Sequence, residues 1–136
     1  MRGGGTVFGP HRRSYRQNVP TASRRRALCC ALSDRVRTGA LSILSDLACD
    51  TPRTKPFAEM LARIVPSRRK TLLVTADVDK NVLLSARNIP RVAVCTATDL
   101  SALDVVDAAQ VVVVQDALPR LENRLTKVHS GKERTQ

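Results

Sequence analysis

The sequence predicts an α/β protein: a three-layer α/β/α domain with a mainly parallel four-stranded sheet, preceded by an irregular basic arm. Two observations carry that prediction. From about residue 40 onward, short apolar runs alternate with stretches whose apolar residues recur at helical spacing, the pattern of βαβ units with a parallel sheet covered on both faces. Before residue 20 there is no apolar periodicity, and Gly, Pro and Arg dominate instead.

The elements follow in order. Residues 1–20 form the arm. A helix is expected over 21–38, with Thr21 or Ser23 as N-cap, Gly39 as C-terminal stop, and Leu28, Ala31, Leu32 and Val36 as its apolar stripe. A strand at 41–45 precedes a helix at 54–64, where Phe57, Met60, Leu61 and Ile64 fall at i, i+3, i+4, i+7. A second strand at 71–75 leads to a helix at 79–87, capped by Asp77 or Asp79 and ended by Pro90. A third strand at 91–95, a short helix at 101–107 capped by Thr98 or Asp99, a fourth strand at 111–114 and a last helix at 116–126 complete a domain spanning 21–127. Residues 128–136 read as a flexible polar tail.

The charge is unevenly placed. Of 136 residues, 23 are Lys or Arg and 12 are acidic, giving +11. Residues 1–37 hold nine arginines and one acid, Asp34, whereas residues 38–119 hold nine basic and nine acidic residues. A concentrated Arg-rich arm displaces several counterions from a polyanion at once, and guanidinium groups fork onto phosphate and stack on bases. Two of the three aromatic residues, Phe8 and Tyr15, lie among those arginines. Rings interleaved with Arg suit single-stranded or irregular RNA, although Phe8 could equally anchor the arm to the domain. Early glycines and Pro10 argue against the amphipathic helix of an organellar targeting peptide, and no secretory h-region follows the first basic residues. No apolar run approaches the roughly 18 residues of a membrane span.

Catalytic constellations are lacking. A dinucleotide fingerprint from Gly3 would need glycine where Phe8 stands, and a phosphate loop using Gly4 and Gly9 would need lysine where Pro10 stands. His11 and His129 are isolated, so no zinc spacing exists. Cys29 and Cys30 are helical neighbours about 100° apart; with Cys49 and Cys95 they read as small buried hydrophobes in a reducing compartment. Asp46, Asp77, Asp99 and Asp116 each follow a predicted strand. They would meet at the carboxyl edge of the sheet, which supports an alternative reading as a small metal-dependent phosphoryl-transfer enzyme. The competing reading, which the sequence favours, is that these acids cap helices and shape loops.

Residues 2–17, Arg-Gly-Gly-Gly-Thr-Val-Phe-Gly-Pro-His-Arg-Arg-Ser-Tyr-Arg-Gln, resemble the signature that closes the extended loop of the bacterial-type ribosomal protein L4 family. Shorter blocks at 24–28, 31–33, 54–55, 72–75 and 84–88 resemble the same family in the same order, so the likeness covers roughly residues 2–126. It implies a structural protein of the large ribosomal subunit that binds 23S-type rRNA, acts in subunit assembly near the peptide exit tunnel, and contacts neighbouring large-subunit proteins. It implies no catalytic role, cofactor, metal, small-molecule substrate or membrane. The implied location is the ribosome, cytoplasmic or organellar. By position, Arg2, Gly3, Gly4, Gly5, Phe8, Gly9, His11, Arg12, Arg13, Tyr15 and Arg16 would lie in the returning half of that rRNA-binding loop, and Arg24, Arg25 and Arg26 on the following helix. Family members carry a further N-terminal segment with the outgoing half of the loop. This chain starts just before the triple glycine, so a short form, a misassigned start or a gene fragment is expected.

Overall fold

A computed structural model describes residues 3–5, 7–47, 49, 51–65 and 69–126. The expected tail at 128–136 lies outside them. The elements are α1 (Thr21–Arg37), β1 (Leu41–Leu44), α2 (Thr54–Ile64), β2 (Thr71–Thr75), α3 (Lys80–Ala86), β3 (Val92–Thr96), α4 (Ala102–Asp107), β4 (Gln110–Val114) and α5 (Leu118–Thr126). The four strands form one sheet in the order β1-β4-β2-β3, and every pairing is parallel. The α/β architecture is as the sequence predicts.

Side-chain alternation along the central strands builds both cores. Leu72 and Val74 of β2, with Val111 and Val113 of β4, face a core closed by Leu28 and Ala31 of α1, Val105 of α4 and Leu121 of α5. Leu73, Val112 and Val114 face the opposite core, closed by Phe57 and Leu61 of α2 and by Val82 and Ala86 of α3. All five residues of β2 are buried. That is why Thr-Leu-Leu-Val-Thr reads as a continuous rather than an alternating apolar run.

Several boundaries differ from the sequence reading, each for a local reason. Pro20, not Thr21 or Ser23, stands at the N-cap of α1; no side chain caps the helix, and the Pro20 carbonyl accepts from the Arg24 amide at 3.2 Å. At the other end Gly39, at φ +65°, closes a Schellman motif. The Gly39 amide donates to the Val36 carbonyl at 3.2 Å and the Ala40 amide to the Arg35 carbonyl at 2.9 Å. Val36 is not in the apolar stripe: it is 63% exposed. Arg35 faces α4 in its place, its Nε donating to the Val105 carbonyl at 3.1 Å and its Nη2 to the Val106 carbonyl at 2.8 Å.

Ser101, rather than Thr98 or Asp99, caps α4. Its hydroxyl accepts from the Asp104 amide at 3.2 Å while Asp104 accepts from the Ser101 amide at 3.1 Å, a reciprocal capping box. Asp79 caps α3 by accepting from the Asn81 amide at 2.9 Å. The last helix begins at Leu118, after a 3-10 turn at Gln115–Ala117. Pro119 explains this: it has no N–H to donate to the Gln115 carbonyl, which accepts from Leu118 in the tighter turn instead. Arg91 stands at φ +65° and so cannot open β3, which starts one residue later than the sequence suggests.

α1 reaches the core through only two buried side chains, Leu28 and Ala31. Leu28→Ala is therefore expected to destabilise the protein by about 2–5 kcal/mol. Denaturant titration should show this as a lower midpoint, with the slope little changed.

Candidate nucleic-acid interface

The arm lies outside the core. From residue 10 to residue 20 every position is exposed. Phe8 sits at φ +62° and is 97% exposed, so it does not anchor the arm to the domain. Gly3 and Gly4 adopt φ +108° and +67° in open space, conformations that a side chain would strain. Gly5 is exposed and Gly9 half-buried. Arg2 falls outside the described residues.

Among the described residues, the arm's side-chain hydrogen bonds stay within it. The Arg16 amide donates to the Ser14 hydroxyl at 3.3 Å. The Arg13 guanidinium lies over the Tyr15 ring, 4.9 Å from its centroid, and its Nε donates to the Tyr15 hydroxyl at 2.5 Å. This pair presents a cation and a π face together, the two surfaces that an unstacked base uses. His11, Arg12 and Arg16 are exposed beside it.

The arm runs directly into α1, but the three adjacent arginines there do not form one patch. A rotation of about 100° per residue splits them between the flanks of the helix. Arg24 and Arg25 line a groove of about 470 Å³ with Leu100, Asp99 and Arg124. Arg26 lines a groove of about 770 Å³ on the other side, with Arg37, Ser33 and Cys30. Arg124 and Arg37 thus join the sequence-predicted arginines. No sequence signal marks Arg124, which comes from α5 and is brought close only by the fold, its Nη1 donating to the Ala97 carbonyl at 2.8 Å.

The strand-end acids are divided between two hollows, and several of them have partners within the fold. Asp46, Asp77, Asp79 and Asp116 surround a hollow of about 230 Å³ at the carboxyl edge of the sheet, whereas Asp99 lies in the Arg24 groove. Asp77 holds Arg120 in a two-pronged ion pair. Asp46 accepts from the Leu47 amide at 2.6 Å and Asp99 from the Thr96 hydroxyl at 2.8 Å. Asp116 lies within the 3-10 turn and is not a helix cap. Among the described residues no three His, Cys, Asp or Glu side chains are placed to hold a metal ion.

Comparison with known proteins adds a family. Residues 1–124 match the model of the ribosomal protein L4/L1 family. The chain is 42% identical over 121 residues to the large ribosomal subunit protein uL4 of Heliobacterium modesticaldum, covering 89% of this chain and 58% of the relative. It is also 42% identical over 124 residues to the proteins of the same name from Staphylococcus haemolyticus and Lactobacillus johnsonii, covering 91% of this chain and 59% of each relative. The chain therefore spans somewhat over half the length of these relatives.

The cysteines depart from the sequence reading. Cys30 is exposed in the Arg26 groove, and Cys29, Cys49 and Cys95 are half-buried, so none is fully enclosed. Burial, reinforced by the Asp104 and Asp99 carboxylates, pushes the Cys95 thiol from its ordinary 9.0 up to about 12. At neutral pH a disulfide reagent should label exposed Cys30 faster than Cys95, whose thiolate is suppressed and whose sulfur is partly covered. The raised value also has a sign for stability. Below pH 9 both states keep the proton; between about pH 9 and 12 the unfolded chain releases it first, so stability falls. Cys95→Ala should flatten that alkaline loss in denaturant titrations.

Proposed function

The chain belongs to the ribosomal protein L4/L1 family, and from that premise we propose that it is a structural protein of the large ribosomal subunit that binds 23S-type rRNA. The observation that carries the reading is the arm. Its described residues bear three exposed arginines, Arg12, Arg13 and Arg16, with exposed Phe8 and Tyr15, and they pack against no core. Such a segment gains little by staying in place on its own. It gains charge-assisted hydrogen bonds and stacking once phosphates and unpaired bases surround it. The arginines of α1 continue the basic character of the arm onto both flanks of the helix.

In this reading Gly3, Gly4, Gly5 and Gly9 give the backbone close approach, Phe8 and Tyr15 stack, and Arg12, Arg13, Arg16, Arg24, Arg25 and Arg26 neutralise phosphate. His11 adds a donor. The α/β domain is the platform. The protein acts in subunit assembly, beside neighbouring large-subunit proteins and near the peptide exit tunnel, in a cytoplasmic or organellar ribosome.

Binding to an rRNA fragment should fall steeply with salt. About six phosphate contacts give a slope of log K against log salt near −5 for a duplex, and a shallower one for single strands. A slope shallower than about −2 would rule out an arm-centred mechanism. The combined Arg12→Ala, Arg13→Ala and Arg16→Ala variant should bind more weakly yet melt within a few degrees of the parent. Loss of ten degrees or more would make the arm part of the fold.

A further inference from the structure

Between α1 and α5, arginines from the two ends of the domain sequence meet in one groove. Arg24 and Arg25 come from the start of α1 and Arg124 from the last turn of α5, and together they line a space of about 470 Å³ beside buried Leu28 and Leu100. Arg25 and Arg124 are half-buried. Asp99 also lines the groove, and its carboxylate already accepts from the Thr96 hydroxyl at 2.8 Å. Three guanidinium groups therefore stand against one carboxylate. Among the described residues, Arg24 and Arg25 have no side-chain hydrogen bond or ion pair of their own. Converging cations at half-buried positions repel one another, and an anion seated between them removes that cost.

Arg124 is the fixed member of the group. Its Nη1 donates to the Ala97 carbonyl at 2.8 Å, and the Ala97 amide in turn donates to the Thr75 carbonyl of β2 at 2.9 Å. The sheet thus sets where this guanidinium stands, and the rest of its fork stays available to a ligand. The groove also begins where the arm ends. From Pro20 to Arg24 is one helical turn, about 6 Å along the axis of α1.

We infer that the groove between α1 and α5 holds backbone phosphate of the same RNA that the arm engages, with Arg124 as the fixed anchor and Arg24 and Arg25 closing on the phosphate from α1. The inference rests on the arm's reading as an RNA ligand and adds a site that the arm does not contain. Phosphate is the part of the RNA that fits. Forked guanidinium groups match its oxygens, and the neighbouring Leu28, Leu100 and Ala102 offer no ring for a base to stack on. A contact of this kind positions the strand and carries no sequence preference of its own.

The test uses the 136-residue chain with its arm intact and two RNA hairpins of unrelated sequence. Arg25→Ala plus Arg124→Ala should weaken both hairpins by the same factor, about tenfold, and make the slope of log K against log salt shallower by about 1–2. Arg25→Ala alone should change the slope in the same direction; this side chain has no partner in the fold, so its loss does not act through unfolding. Arg120→Ala, on the same helix but bound to Asp77, should leave binding unchanged. The amide signals of Thr21 and Ser101, which border the groove, should move with either hairpin and stay in place with inorganic phosphate. The inference is overturned if the parent binds and the double variant keeps the parent's slope, or if the loss differs between the two sequences. It is equally overturned if inorganic phosphate or a blocked pentaglutamate peptide moves those amides as far as the hairpins do. A parent that binds neither hairpin overturns the arm's reading and this site with it, so the two failures are told apart.

Discussion

A parallel strand buried on both faces has no solvent side, and β2 and β4 are such strands. Their side chains alternate between two cores, so each core needs its own helices: α1, α4 and α5 on one face, α2 and α3 on the other. That demand fixes which helices lie on which face. It also orients the whole chain. Because every strand runs the same way, the residues after the strands gather at one edge and those before them at the other. Asp46, Asp77, Asp99 and Asp116 share the first edge; Arg69, Lys70 and Arg91 share the second. A body with equal numbers of basic and acidic residues between 38 and 119 is thereby polarised along the strand direction, although its composition is balanced.

The elements were largely legible because the two periods are distinct. The helical spacing of Phe57 and Leu61 and the uninterrupted runs of β2 and β4 leave little room for another assignment. The errors fell where a single residue decides locally. Pro119 forces a 3-10 turn, Ser101 outcompetes Asp99 because Asp104 stands three residues on, and Arg91 turns left-handed just before β3 starts at Val92. These depend on donors, acceptors and backbone angles that a hydrophobic pattern does not encode.

The candidate interface was legible in part. Composition alone located a basic arm, because charge density survives without coordinates. How the arginines of α1 divide between two grooves was not legible, because Arg24, Arg25 and Arg26 are each one helical step apart and only the elements packed on either flank decide which pair shares a groove. Their company was not: Arg124 reaches Arg24 only because α1 and α5 cover the same face of the sheet. Arg35 went the other way. By sequence it belongs with the exposed arginines of α1, yet its guanidinium is spent on two carbonyls of α4 and holds the helix ends together.

That division of labour follows from how little of α1 is buried. A helix of 17 residues with two buried side chains cannot rely on apolar burial alone, so its far end is secured by Arg35 and by the Schellman turn at Gly39. The near end, at Pro20, has no side-chain cap and carries the arginines that face outward. The well-secured end is thus the one that continues into β1, and the less secured end is the one that continues into the arm. A partner bound along the arm would meet α1 where it can still adjust. A chain of phosphates engaging both Arg24 and Arg26 would have to straddle the helix, and gripping both flanks would supply the constraint that the N-terminus of α1 lacks.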